Sequence, residues 1–120
     1  MADYWKESPP ILREFLNYHE SILSHSAQTV DEYFLDLRGF FRYLKMTRNP
    51  DLADVPFQEI SILDVDLDFV SKTQLSEIYG FLTFLTGGGA FGKAESTTRA
   101  RKCASIRSFY NYLCVHARVM

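Results

Sequence analysis

The sequence predicts an all-α fold, a compact four-helix bundle in a single domain. Apolar residues recur at steps of three and four in four separate stretches. Capping residues, prolines and glycines fall between those stretches. Ten Phe, seven Tyr and one Trp among 120 residues need a packed interior.

The first helix starts at Pro9 and Pro10, with Ser8 before them as a cap. Ile11, Leu12, Phe15, Leu16, Ile22 and Leu23 keep helical spacing to about Ser24. The second starts near Ser26, where Ser26 or Thr29 can accept from free backbone N–H groups. Val30, Tyr33, Leu37, Phe40 and Leu44 form its buried stripe, and Pro50 ends it by disfavouring helical geometry at Asn49. Residues 51–70 read as an extended connector packing its apolar side on the bundle, with a short helical turn around Pro56, Phe57 and Ile60 and a strand-like alternation over Ile62 to Phe69 that has no partner strand. The third helix opens on a capping box of Ser71 with Gln74. Its apolar face is Leu75, Ile78, Tyr79, Leu82 and Leu85, and Gly87, Gly88 and Gly89 stop it. The fourth runs from about Thr97 to Ala117, with Cys103, Ile106, Tyr110 and Leu113 as its stripe.

Size and composition exclude several classes. A chain of 120 residues makes one domain and is too short for two ordinary ones. No apolar run approaches the ~20 residues that cross a bilayer. The opening MADYWKESPP lacks the basic-then-apolar pattern of a signal peptide. A cytoplasmic protein without membrane contact is expected. Cys103 and Cys114 lie about three helical turns apart, ~16 Å, beyond disulfide reach, and read as small core residues. His19, His25 and His116 share no metal-ligand spacing with them, so no metal and no cofactor is expected.

Two motifs fail on inspection. Gly87 to Lys93, GGGAFGK, matches most of a phosphate-binding loop, but Ala94 stands where the magnesium-binding hydroxyl belongs. Asp64, Asp66 and Asp68 lack the central Gly and the closing Glu of a calcium loop. A solvated acidic edge fits them better.

The net charge of -2 hides an asymmetry. Residues 1–92 hold seven Lys/Arg and fourteen Asp/Glu, and residues 93–120 hold six Lys/Arg against Glu95 alone. The balances are -7 and +5, which sum to -2. A local basic face matters more for nucleic acid than total charge. Arg99, Arg101 and Lys102 in the first turns of the fourth helix make such a face if they stand clear of the bundle. Arg107 is expected to pair inside the protein, with Asp36.

Two segments resemble the N-terminal core-binding (SAM-like) domain of tyrosine recombinases, the phage-integrase family, and Xer-like members in particular. In Ser26 to Leu44 the matching residues are Ser26, Thr29, Tyr33, Asp36, Leu37, Phe40, Tyr43 and Leu44. In Arg99 to Leu113 they are Arg101, Lys102, Ala104, Ile106, Arg107, Ser108, Phe109, Tyr110 and Leu113, with Cys103 where Leu is usual. The resemblance implies a DNA-binding domain of a site-specific recombinase that grips duplex DNA with its second and fourth helices. It also implies other recombinase protomers as partners of a full-length protein. The family's catalytic Arg, Lys, His-x-x-Arg and Tyr lie in a downstream domain. None of them can be assigned here, since His116-Ala117-Arg118 is one residue short of the pair. The chain therefore reads as a catalytically silent, monomeric domain of a larger enzyme.

On that reading the candidate DNA-binding residues are Ser26, Gln28, Thr29, Arg38, Arg42 and Lys45 of the second helix, the last three along its exposed side. From the fourth they are Thr97, Thr98, Arg99, Arg101, Lys102 and Ser105, of which Arg101, Lys102 and Ser105 lie beside the buried stripe and are expected to point outward together. Hydroxyls and cations suit phosphates, Gln suits an adenine edge and Arg a guanine. The competing class is a helical protein-interaction module that uses its acidic face and has no nucleic-acid role.

Overall fold

A computed structural model describes residues 4–87 and 96–116, and every regular element among them is helical. A short α1 (Tyr4–Glu7) precedes α2 (Pro10–Asn17), which continues as a π-helical turn over Tyr18–Ile22. The long α3 (Ala27–Arg48) is followed by 3-10 turns at Pro50–Leu52 and Phe57–Glu59. Then come α4 (Leu67–Ser71), α5 (Leu75–Thr86) and α6 (Ser96–His116). The four helices expected from the sequence are α2, α3, α5 and α6. Residues 88–95, most of the GGGAFGK segment, lie outside the described residues, as does the chain after His116.

In α2, Pro9 rather than Ser8 takes the cap position, with Pro10 as first helical residue. Leu12, Phe15 and Leu16 are fully buried. Ile22 and Leu23 are instead 67% and 43% exposed. The π turn, closed by Leu23 N–H on the Tyr18 carbonyl, rotates them off the buried face. Ser24 then reverses the chain in the left-handed region, at φ 58.

The spine of the fold is α3. Ser26 caps it, Oγ accepting from Thr29 N–H at 3.2 Å. Phe34, Leu37, Phe40, Phe41 and Leu44 are all fully buried, a wider face than one stripe. Helix α3 packs against α2, α5 and α6 in turn, which is why residues on more than one of its sides lose water. Phe15 and Phe41 both meet Phe109 of α6 edge-on, at 5.3 and 5.4 Å between ring centres.

The connector buries Ile60, Ile62, Val65 and Val70, as its apolar pattern implies. Its second half is α4 and not extended chain: Asp66 Oδ1 accepts from Phe69 N–H at 2.9 Å and starts the helix. That shifts the next cap. Ser71 ends α4, and the capping box of α5 is Gln74 with Glu77. The face of α5 is rotated accordingly. Phe81 and Leu85 are buried, while Leu75 and Tyr79 are 61% and 60% exposed. Helix α5 also comes close to α3: a Cβ on Gly80 would lie 2.5 Å from the Tyr43 hydroxyl. In α6, Ile106, Phe109 and Leu113 are buried, with Cys103 half-buried and Cys114 exposed, so Cys114 is not a core residue.

Candidate nucleic-acid interface

The first halves of α3 and α6 lie side by side. Asp36 meets residues 101, 102 and 105, and Phe41 meets Phe109, so the two helices run in the same chain sense. Between them lies a groove lined by Thr29, Glu32, Tyr33, Asp36, Arg101, Ala104 and Ser105. Helix N-termini offer free N–H groups and a positive dipole end.

The floor of the groove is Asp36, fully buried. Arg101 donates from Nη2 to Oδ1 at 2.9 Å and from Nε to Oδ2 at 3.3 Å. Lys102 Nζ donates to Oδ1 at 3.0 Å, and Ser105 Oγ to Oδ2 at 2.7 Å. The expectation that Arg101, Lys102 and Ser105 point outward together is thus corrected: all three turn onto the protein's own carboxylate. The cause is desolvation, since a buried carboxylate is stable only with counter-charge and hydrogen bonds. Lys102 and Ser105 are buried, but the Arg101 side chain stays 46% exposed. Its Nη1 faces Glu32 at 3.8 Å. The hydrogen bond to Asp36 holds the Arg101 guanidinium above its ordinary pKa. Arg107 does not pair with Asp36; it is exposed on the α5 side, beside Leu75 and Tyr79.

The cations of α3 are also turned inward, against the expectation of an exposed side. Arg38 Nη1 donates to Glu7 at 3.0 Å. Arg42, buried, donates from Nε to the Ile60 carbonyl at 2.9 Å and lies 3.6 Å from Glu7. Burial pulls its pKa below the ordinary arginine value. Lys45 Nζ holds the Ser61 carbonyl and Asp64. These three pin α1 and the 57–65 connector onto α3.

Of the remaining candidates, Ser26, Gln28 and Thr97 are exposed and Thr29, Thr98 and Arg99 half-buried. Ser26 and Thr29 share a hydroxyl hydrogen bond at 3.0 Å beside the cap. What the residue pattern missed is a set of acceptors, Glu7, Asp64 and the Ile60 carbonyl, and that Asp36 accepts from Arg101, Lys102 and Ser105 in place of Arg107. Asp36 had a visible signal, an acid next to the Tyr33–Leu37–Phe40 stripe. Glu7 and Ile60 had none, because their pairing joins distant parts of the chain. Arg48, outside the candidate set, ties α3 to α5 through Glu77 at 2.8 Å and to the Phe69 carbonyl at 2.8 Å.

Among the described residues no group of three or more His, Cys, Asp or Glu is placed to hold a metal ion. No described helix is long and apolar enough to cross a membrane.

No family model and no solved structure matches the chain. Two curated relatives do. The chain is 45% identical over 112 residues to the tyrosine recombinase XerC of Caldanaerobacter subterraneus subsp. tengcongensis, covering 93% of this chain and 31% of that protein. It is 32% identical over 102 residues to the tyrosine recombinase XerC of Chlorobaculum tepidum, covering 85% of this chain and 26% of that one. The chain spans a third or less of the length of these relatives.

Proposed function

With this chain a Xer-like tyrosine-recombinase homologue over nearly its whole length, we propose that it is a core-binding domain that grips duplex DNA with α3 and α6. In this reading it serves DNA recombination or integration as part of a longer cytoplasmic protein. Strand cleavage and contacts with other protomers then belong to portions that this chain does not span.

One observation carries the reading beyond homology. Thr29, in the first turn of α3, and the half-exposed Arg101 of α6 line one groove, and Ser26 is hydrogen-bonded to Thr29. Arg101 can neutralise a phosphate and release its counterion. The hydroxyls in the first turns of α3 and α6 can anchor neighbouring phosphates. Gln28, exposed in the first turn of α3, is the residue best suited to read an adenine edge. Lys102, Ser105, Arg42 and Lys45 act in this reading as supports, since their polar atoms are spent inside the protein.

The test is a salt titration of the 120-residue chain on duplex DNA, read by fluorescence anisotropy. Weak binding at low salt is expected. Arg101→Ala should flatten the salt slope by about one unit, while Arg107→Ala on the opposite side of α6 should leave it alone. No binding at low salt, or an Arg101→Ala slope equal to the parent's, overturns the reading. A second reading, a protein-interaction module, is favoured by the exposed Leu75 and Tyr79 on α5. It requires no retardation of DNA at any salt.

A further inference from the structure

We propose that Arg101 is a releasable counter-ion, resting on Asp36 in the free protein and passing to a DNA phosphate on binding, while Lys102 stays behind as a positioning residue. This inference rests on the DNA reading and adds how the groove delivers its cation.

Asp36 carries more donors than it needs. Removing the sole partner of a buried carboxylate is strongly destabilising. Here each oxygen has a second donor: Lys102 Nζ on Oδ1 at 3.0 Å and Ser105 Oγ on Oδ2 at 2.7 Å. Departure of Arg101 leaves Asp36 with one cation, one hydroxyl and no orphaned oxygen. The two cations also differ in reach. The Lys102 side chain is 11% exposed and that of Arg101 46%. Only Arg101 can turn outward without drawing a buried group into water. Its weaker contact to Asp36, Nε to Oδ2 at 3.3 Å, is the one that Ser105 duplicates.

Glu32 completes the device. It is 44% exposed and lies 3.8 Å from Arg101 Nη1, at the mouth of the groove. A phosphate arriving there competes with Glu32 for the guanidinium. Glu32 therefore sets the threshold at which Arg101 transfers.

A double-mutant cycle on duplex affinity tests this in the full 120-residue chain at fixed low salt. Glu32→Gln should tighten binding about fivefold in the parent, an effect of one nearby charge in partly exposed surroundings. In an Arg101→Ala background the gain should fall below about twofold, because the competition no longer exists. An equal gain in both backgrounds means that Glu32 merely repels DNA, and overturns the proposal; so does no gain in the parent. Lys102→Met gives the second readout. It leaves Arg101 as the only cation on Asp36, so a folded protein with weakened binding and a salt slope reduced by about one is expected. Lys102→Arg should restore both. Parent-like binding by Lys102→Met overturns the positioning role. If none of these proteins binds at the lowest salt, the DNA reading itself falls and this inference with it.

Discussion

Two sets of cations, one on α6 and one on α3, look alike in sequence and behave differently in the fold. Around Asp36, two cations and a hydroxyl converge on one buried carboxylate. Along Arg38, Arg42 and Lys45, cations are spread over separate acceptors on α1 and the connector. The first arrangement has donors to spare, and one of them is half in water. In the second, Arg42 is buried and tied to a buried segment. On the proposed reading, the ratio of donors to acceptors, rather than the number of basic residues, decides which cation can pass to a phosphate.

The sharpest way to break that comparison is to remove the surplus. Arg101→Ala and Lys102→Met should each cost about 1 kcal/mol, since Asp36 keeps one cation. Together they leave a buried carboxylate with only Ser105, and the loss should reach about 3–5 kcal/mol. Urea unfolding of the two single variants and the double variant measures this. Additive losses in the double variant would mean that the two cations do not share a load at Asp36.

The second set predicts the opposite pattern, a large single-site effect on the fold and none on DNA. Ile60 is buried, and its carbonyl is held by Arg42 Nε. Arg42→Ala strands that oxygen and should cost about 2 kcal/mol. If Arg42 is structural, the salt slope of DNA binding stays at the parent value under conditions where the variant is folded. A slope reduced by one unit would move Arg42 into the DNA interface.

Much of the fold was legible because it rests on local signals. The helix start at Pro9–Pro10, the cap at Ser26, the stop at Pro50 and the stripes of α3 and α6 are short-range patterns, and they gave helices within a few residues of those observed. The misreadings are of another kind. Asp66 starts α4 and takes the capping role away from Ser71, because tertiary burial of Val65 and Val70 selects a helix over the strand-like alternation of 62–69. The direction of side chains among the DNA candidates was less legible. Whether Lys102 points to water depends on Asp36, which lies 66 positions earlier in the chain. Helical spacing puts Lys102 beside the buried stripe and says nothing of a carboxylate across the groove. Chemistry-bearing residues could be found from sequence, but not which of them the protein uses on itself.

A pair with no carboxylate at all extends the comparison to pH. His19 is buried against Phe15 and Tyr33, and its Nδ1 lies 3.0 Å from Nδ1 of exposed His25. Burial, with the nearby His25 charge, lowers the His19 pKa from 6.5 to about 4. The unfolded chain therefore binds the extra proton first. Stability contributed by neutral His19 is complete above pH 6.5 and is lost as pH falls toward about 4. The loss should be about 1–2 kcal/mol, less than the full shift implies because His25 is open to water. Urea unfolding between pH 7 and pH 4.5 measures it, and His19→Phe should flatten the dependence over that interval. An unchanged slope in His19→Phe would assign the acid loss to the carboxylates of the cation pairs instead.

The smallest effect comes from the neutral cap of α3. Ser26 Oγ accepts from Thr29 N–H at 3.2 Å and shares a hydrogen bond with Thr29 Oγ1 at 3.0 Å. Ser26→Ala removes the cap and should cost about 1 kcal/mol. On DNA it separates two kinds of contact. A hydroxyl carries no charge and releases no counterion, so losing it should weaken binding by the same factor at every salt concentration. Arg101→Ala should instead weaken binding most at low salt, converging on the parent as salt rises. Parallel lines for Ser26→Ala and converging lines for Arg101→Ala are the signature of a groove in which hydroxyls set register and one arginine supplies the charge. Converging lines for both would mean that Ser26 acts only by holding the end of α3 against the Asp36 cluster.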